Sequence, residues 1–210
     1  MRSPLLNLFL LCVFSSLLFT AYAQGQQRIL IIGDSIAAGY GIDSEAAFPA
    51  LLQKKIDAEN LNFQVVNAGV SGDTTAGGLR RIDWLLRQPA EVIVIELGGN
   101  DGLRGIPPSE TKANLAGMIQ KIREKSPRTR IVLAGMQMPP NMGEKYVTEF
   151  AALYPALSTE YKTELIPFVL EGVGGKPDLN QEDRIHPTEK GHQIIAETVW
   201  KTLGPILRKS

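Results

Sequence analysis

Arg28-Ile29-Leu30-Ile31-Ile32-Gly33-Asp34-Ser35 carries the strongest structural signal in the chain. An aliphatic run that stops at glycine, a carboxylate and a hydroxyl reads as a buried parallel strand opening onto a helix start. Similar runs recur at 63–67, 92–97 and 131–136, and a weaker one at 165–169 is broken by Pro167. Between them lie helical patterns at 48–59, 74–87, 109–125 and 144–162, with a last one at 188–203. Asp73 or Thr74 suits a helix cap, Ser109 follows Pro108, and Thr188 follows Pro187. Strand–helix alternation predicts an α/β fold, a three-layer α/β/α arrangement around one doubly wound parallel sheet of about five strands. No linker divides residues 24–210, which are expected to form a single domain.

Ahead of this unit, Arg2 precedes a mostly apolar stretch over residues 5–19, and Ala21-Tyr22-Ala23 fits the small-x-small cleavage rule. Residues 1–23 therefore read as a cleaved signal peptide, with an uncleaved anchor as the alternative, since a span needs ~20 apolar residues. After cleavage no stable membrane insertion is expected. Cys12 is the single cysteine, so the mature chain has none, which fits a bacterial periplasm better than a disulfide-stapled extracellular domain.

Composition removes several function classes. The chain has 210 residues, 44% of them hydrophobic, enough for one well-filled core. Lys plus Arg and Asp plus Glu both number 22, with no basic run, so a nucleic-acid partner is not expected. His186 and His192 are the two histidines, too few for a histidine-based zinc cluster, and no metal site is expected. The segment 69–78 lacks the Gly-Lys-Ser/Thr ending of a phosphate loop, and 33–41 lacks dinucleotide-type glycine spacing. Gly-x-Ser-x-Gly, the nucleophile motif of α/β-hydrolases, is absent.

Sites in doubly wound sheets gather outside the carboxyl ends of the strands. Those ends run into Gly33-Asp34-Ser35, Asn67-Ala68-Gly69-Val70-Ser71-Gly72-Asp73, Gly98-Gly99-Asn100-Asp101 and Gln137-Met138-Pro139-Pro140-Asn141. Near the end of the chain stands Asp183-Arg184-Ile185-His186. A serine at a strand exit and an aspartate three residues before a histidine supply a nucleophile, a base and an orienter for that base. Glu182 competes with Asp183, but the spacing to His186 favours Asp183. His192 reads as structural or solvated, Asp34 as a turn-stabilising carboxylate, and Asp73 and Asp101 as cap and turn residues.

Four blocks carry a family resemblance that covers nearly all of the mature chain. They are Gly33-Asp34-Ser35 with residues 36–41, residues 67–74, residues 96–105, and Asp183-Arg184-Ile185-His186-Pro187. The chain resembles the SGNH (GDSL) hydrolases, and within them the bacterial periplasmic thioesterase I/lysophospholipase and arylesterase branch. The resemblance implies a flavodoxin-like sheet order and a Ser35–His186–Asp183 triad. It also implies an oxyanion hole from the Ser35 and Gly72 N–H groups and the Asn100 amide. No cofactor is required, a monomer is implied, and the substrates implied are acyl esters and thioesters, lysophospholipids among them. An unperturbed imidazole titrates near ~6.5, so a histidine base predicts activity that rises through that region.

Substrate choice is less legible. Met136, Met138, Pro139, Pro140 and Met142 cluster after the fourth strand, and thioether side chains suit an adaptable apolar acyl groove. Leu103 and Ile106, flanked by Gly102 and Gly105, suit a mobile apolar flap. A carbohydrate acetylesterase of the same superfamily and a non-catalytic acyl-binding protein are the alternatives. The methionine-rich rim argues against the first, and the completeness of the four blocks against the second.

Overall fold

The computed structural model describes residues 25–210; the signal peptide expected over residues 1–23, with Cys12 and Ala23, lies outside the described residues. Strands β1 (Gln27–Gly33), β2 (Phe63–Asn67), β3 (Val92–Glu96), β4 (Arg130–Ala134) and β5 (Glu164–Ile166) form one sheet. Its order is β2-β1-β3-β4-β5, and every neighbouring pair is parallel. The helices are α1 (Ser35–Ala38), α2 (Phe48–Ala58), α3 (Thr75–Leu85), α4 (Gly99–Leu103), α5 (Pro108–Lys125), α6 (Glu144–Tyr161) and α7 (Glu189–Leu207).

The α/β expectation holds, because β1 and β3 are aliphatic on both faces and each face needs a cover. Ile29, Leu30, Ile31 and Ile32 of β1 and the four aliphatic residues of β3 are all fully buried. Helix α2 packs against α7, while α3, α5 and α6 pack in a row. Right-handed crossovers place these two groups on opposite faces of the sheet. Helix α2 shows the pattern that seats such a layer: Phe48, Leu52 and Ile56, one turn apart, are buried along one stripe.

Chain direction across the sheet reverses at β1, which pairs with both β2 and β3. Loops leaving the carboxyl ends of β1 and β3 therefore diverge there and leave a crevice. Register keeps these ends nearly level, with Gly33 opposite Glu96 and Ile31 opposite Asn67.

Element boundaries differ from the sequence expectation where a local group intervenes. The fifth strand ends at Ile166 rather than 169, since Pro167 has no N–H to donate to a ladder. The last helix runs past 203 to Leu207 and contains Pro205, because Ile206 and Leu207 bury their side chains in the core. Helices α1 and α4 are too short to show a period in the sequence.

Candidate active site

Helix α1 begins immediately at the end of β1, and Asp34 makes that abrupt turn possible. Its Oδ1 accepts the Ile36 N–H at 2.9 Å, capping the helix, and Gly39 ends it in the left-handed conformation. Ser35 thus sits at the first helical position, where unpaired N–H groups and the helix dipole favour an anion.

His186 comes from the other end of the chain, on the loop before α7. Gln181 fastens that loop, its N–H donating to the His186 carbonyl at 2.7 Å and its side-chain amide to the Tyr40 carbonyl at 2.7 Å. Arg184 adopts a left-handed conformation (φ 60°) and folds the segment back on Asp183. The carboxylate then serves two purposes. Oδ1 accepts the N–H groups of Ile185 and His186 at 2.9 and 3.0 Å, and Oδ2 lies 2.6 Å from His186 Nδ1. His186 Nε2 lies 2.9 Å from Ser35 Oγ. The hydrogen bond to His186 foremost, with the loop N–H groups, holds the Asp183 carboxyl down at about 2. Tyr40 leans on the imidazole with ring centroids 4.5 Å apart.

Asn100, in the first turn of α4, ties three strand ends together. Its Nδ2 donates to the Asp73 carbonyl at 2.9 Å and to Asp34 Oδ2 at 3.3 Å. These acceptors belong to the residues next to Gly72 and Ser35, which brings the Asn100 amide near both segments. Gly72 has φ 79°, a conformation that L side chains resist, and Arg104 Nη2 donates to its carbonyl at 3.0 Å. Arg81 clamps the base of the crevice, pairing with Asp73 at 2.8 Å and donating to the carbonyls of Ala68 and Gly33.

Two carboxyls lie beneath the serine. Glu96, at the end of β3, is completely buried, and the Asp34 N–H donates to its Oε2 at 3.3 Å. Burial first, then the nearby Asp34 charge, pushes Glu96 well above the usual carboxylate range. Burial also raises Asp34, to about 6, against the Ile36 N–H, the His186 charge and the Asn100 amide. Burial thus disfavours charge on both carboxyls, and more strongly on Glu96 than on Asp34. The sequence places Asp34 in a turn only; its side-chain reach to Asn100 has no local signature. His192 and Asp101 lie outside the Ser35–His186–Asp183 chain, both buried at helix starts.

Beside the serine opens a cavity of about 400 Å³. Ile36 and Gly99, neighbours of Ser35 and Asn100, form part of its wall. Leu103, Met136, Met138, Pro139 and Pro140 line it, as do Phe168, Leu170, Arg184 and Ile185. Ile106 is not among the lining residues; its carbonyl instead accepts the Tyr146 hydroxyl at 2.8 Å. Phe168 and Leu170 carry no such signal in the sequence, since they follow a strand too short and irregular to be read with its loop.

This arrangement places a hydroxyl against an imidazole oriented by a carboxylate, with amide donors and an apolar cavity alongside, and it is suited to acyl transfer. Residues 31–194 match the model of the GDSL-like lipase/acylhydrolase family. The chain is 47% identical over 183 residues to "Esterase TesA" of Pseudomonas aeruginosa, covering 86% of this chain and 90% of that one. It is 39% identical over 191 residues to "Thioesterase 1/protease 1/lysophospholipase L1" of Escherichia coli K12, covering 90% of this chain and 89% of that one. A crystal structure of TesA superposes with a TM-score of 0.82 at 46% identity, over 85% of this chain and 99% of that chain. The chain therefore belongs to the GDSL-like lipase/acylhydrolase family and is an ester-hydrolysing enzyme.

Proposed function

We propose that this enzyme hydrolyses acyl esters and thioesters, lysophospholipids among them, through Ser35, His186 and Asp183. The observation that carries the reading is the continuous chain from Ser35 Oγ to His186 Nε2 at 2.9 Å and from Nδ1 to Asp183 at 2.6 Å. His186 takes the serine proton as Oγ attacks the acyl carbonyl, and returns it to the departing alcohol or thiol. Asp183 keeps the proton on Nδ1 and stabilises the imidazolium. The Ser35 and Gly72 N–H groups and the Asn100 amide receive the oxyanion. Water then attacks the acyl-enzyme by the same route, releasing the acid and restoring the serine.

The cavity walled by Leu103, Met136, Met138 and Pro139 takes the acyl chain, while Ile106, whose carbonyl accepts the Tyr146 hydroxyl, stands outside that wall. Its lining is mostly apolar side chains, which favours an acyl tail over a sugar. Names borne by the relatives, esterase in one case and thioesterase and lysophospholipase in another, support the same breadth of leaving group. The enzyme acts as a monomer, exported to the periplasm after cleavage near Ala23. Among the described residues no helix is long and apolar enough to cross a membrane.

The test is a series of p-nitrophenyl esters from acetyl to palmitoyl, with lysophosphatidylcholine and an acyl-CoA alongside, on wild type and Ser35→Ala. Turnover that persists or rises with medium chains and vanishes in Ser35→Ala is expected. Activity confined to acetyl esters would favour the carbohydrate acetylesterase, and undiminished turnover in a folded Ser35→Ala protein would overturn the nucleophile.

A further inference from the structure

Asp34 holds an unusual position in the site. It is 2% exposed and does not touch His186 by any hydrogen bond, yet its two oxygens reach the two halves of the catalytic apparatus. Oδ1 accepts the Ile36 N–H and so fixes the turn that presents Ser35. Oδ2 accepts from Asn100 Nδ2 at 3.3 Å, while the other acceptor of that amide is the Asp73 carbonyl at 2.9 Å. An amide nitrogen has two protons and a terminal rotor that is broad in energy. With a carboxylate on one side and a carbonyl on the other, Nδ2 is turned toward the crevice and the amide oxygen away from it. Gly99 leaves room for this contact, since a Cβ there would stand 3.2 Å from Asp34 Oδ2.

Glu96 explains why Asp34 stays in place. Its fully buried carboxyl receives the backbone N–H of Asp34 at 3.3 Å, pinning the turn from below. Gly33 permits that approach, because a Cβ at Gly33 would meet Glu96 Oε2 at 2.5 Å.

Resting on the triad and oxyanion hole proposed above, we infer that Asp34 is a positioning residue: its carboxylate sets the Asn100 amide as an oxyanion donor in register with Ser35. The long 3.3 Å contact suits this role. As charge develops on the substrate oxygen, the Nδ2 proton that faces Asp34 can be shared with it in a three-centre bond, while the stronger bond to the Asp73 carbonyl holds the amide in place. The carboxylate neither forms nor breaks a bond in the reaction.

The test is a double-mutant cycle of Asp34→Asn with Asn100→Ala. Asparagine at 34 still accepts from Ile36 through Oδ1, but its NH₂ then faces the NH₂ of Asn100, donor against donor. Asp34→Ser, which retains a capping oxygen and lacks the second arm, is the companion variant. Urea midpoints and circular dichroism establish folding of each. Asp34→Asn and Asp34→Ser are expected to lower kcat on p-nitrophenyl butyrate by roughly tenfold or more, with KM within about twofold, short of the 10²–10³ expected from deleting a donor. In the Asn100→Ala background the same changes are expected to have almost no effect, the signature of action through a shared group. Equal losses in both backgrounds, or no loss in folded Asp34 variants, would overturn the inference. Full activity in Asn100→Ala alone would instead overturn the oxyanion hole on which it rests.

Discussion

His192 Nδ1, on α7, accepts the backbone N–H of Phe48 at the start of α2 across 3.1 Å. The N-cap of α2 is Ala47, whose side chain has no acceptor, so a residue 144 positions away supplies the cap. The two rings also stack at 6.3 Å, joining the helices that cover one face of the sheet. Only a neutral imidazole can accept at Nδ1, and this has a consequence for acid stability.

Burial depresses His192 from 6.5 to about 4. Between those values the unfolded chain binds a proton that the folded chain refuses, so stability rises with pH and is lost as pH falls from 6.5 toward 4. At full development the loss is on the order of 3 kcal/mol. Asp34 and Glu96, both raised by burial, act in the opposite direction over part of that range. The difference between wild type and His192→Asn isolates the histidine. Urea midpoints at pH 7.5, 6, 5 and 4 should converge for the two proteins on acidification, and parallel curves would exclude His192 as the source.

Asp183 leads to a distinct pH expectation. Because its carboxyl is held at about 2, it remains ionised wherever the enzyme is folded and active, and the acid limb of kcat should not report it. Asp183→Ala should lower kcat by about 10²–10⁴ across the whole pH range, leaving the imidazole unoriented. A variant within a few-fold of wild type on p-nitrophenyl butyrate would remove Asp183 from the triad.

Asp101 should matter for stability. Its buried carboxylate accepts the Thr75 N–H at 2.9 Å and hydroxyl bonds from Thr75 and Thr111, joining the starts of α3 and α5 to α4. Asp101→Ala strands these donors and should destabilise the fold by about 2–4 kcal/mol, read from urea unfolding. Asp101→Asn, which retains acceptor oxygen, should lose less.

Leu103 is 43% exposed and lines the cavity beside Ser35, so it can be shortened with little effect on the core. Leu103→Ala should lower kcat/KM for octanoyl esters several-fold, at ~0.8 kcal/mol for each methylene that the acyl chain no longer covers. Acetyl esters should be nearly unaffected. An unchanged octanoyl-to-acetyl ratio would place the acyl chain elsewhere.

Read alone, the sequence sets the layer architecture and the blocks from which the site is built. Aliphatic runs such as Ile29 to Ile32 admit little besides buried parallel strands, and strand ends in an α/β sheet mark where a site forms. Ser35, Asn100 and His186 are therefore legible as candidates before any contact is known, because each stands in a short block with local meaning. What joins those blocks belongs to the tertiary structure. The reach of Asp34 to Asn100, the two carboxyls stacked under Ser35, the His192 cap on Phe48 and the addition of Phe168 to the cavity wall all link positions far apart in the chain. Such contacts depend on strand register and on which face each helix covers, and they leave no periodicity or motif for a sequence to display. The titration of Asp34, Glu96 and His192 follows the same rule, since burial sets it and burial belongs to the fold.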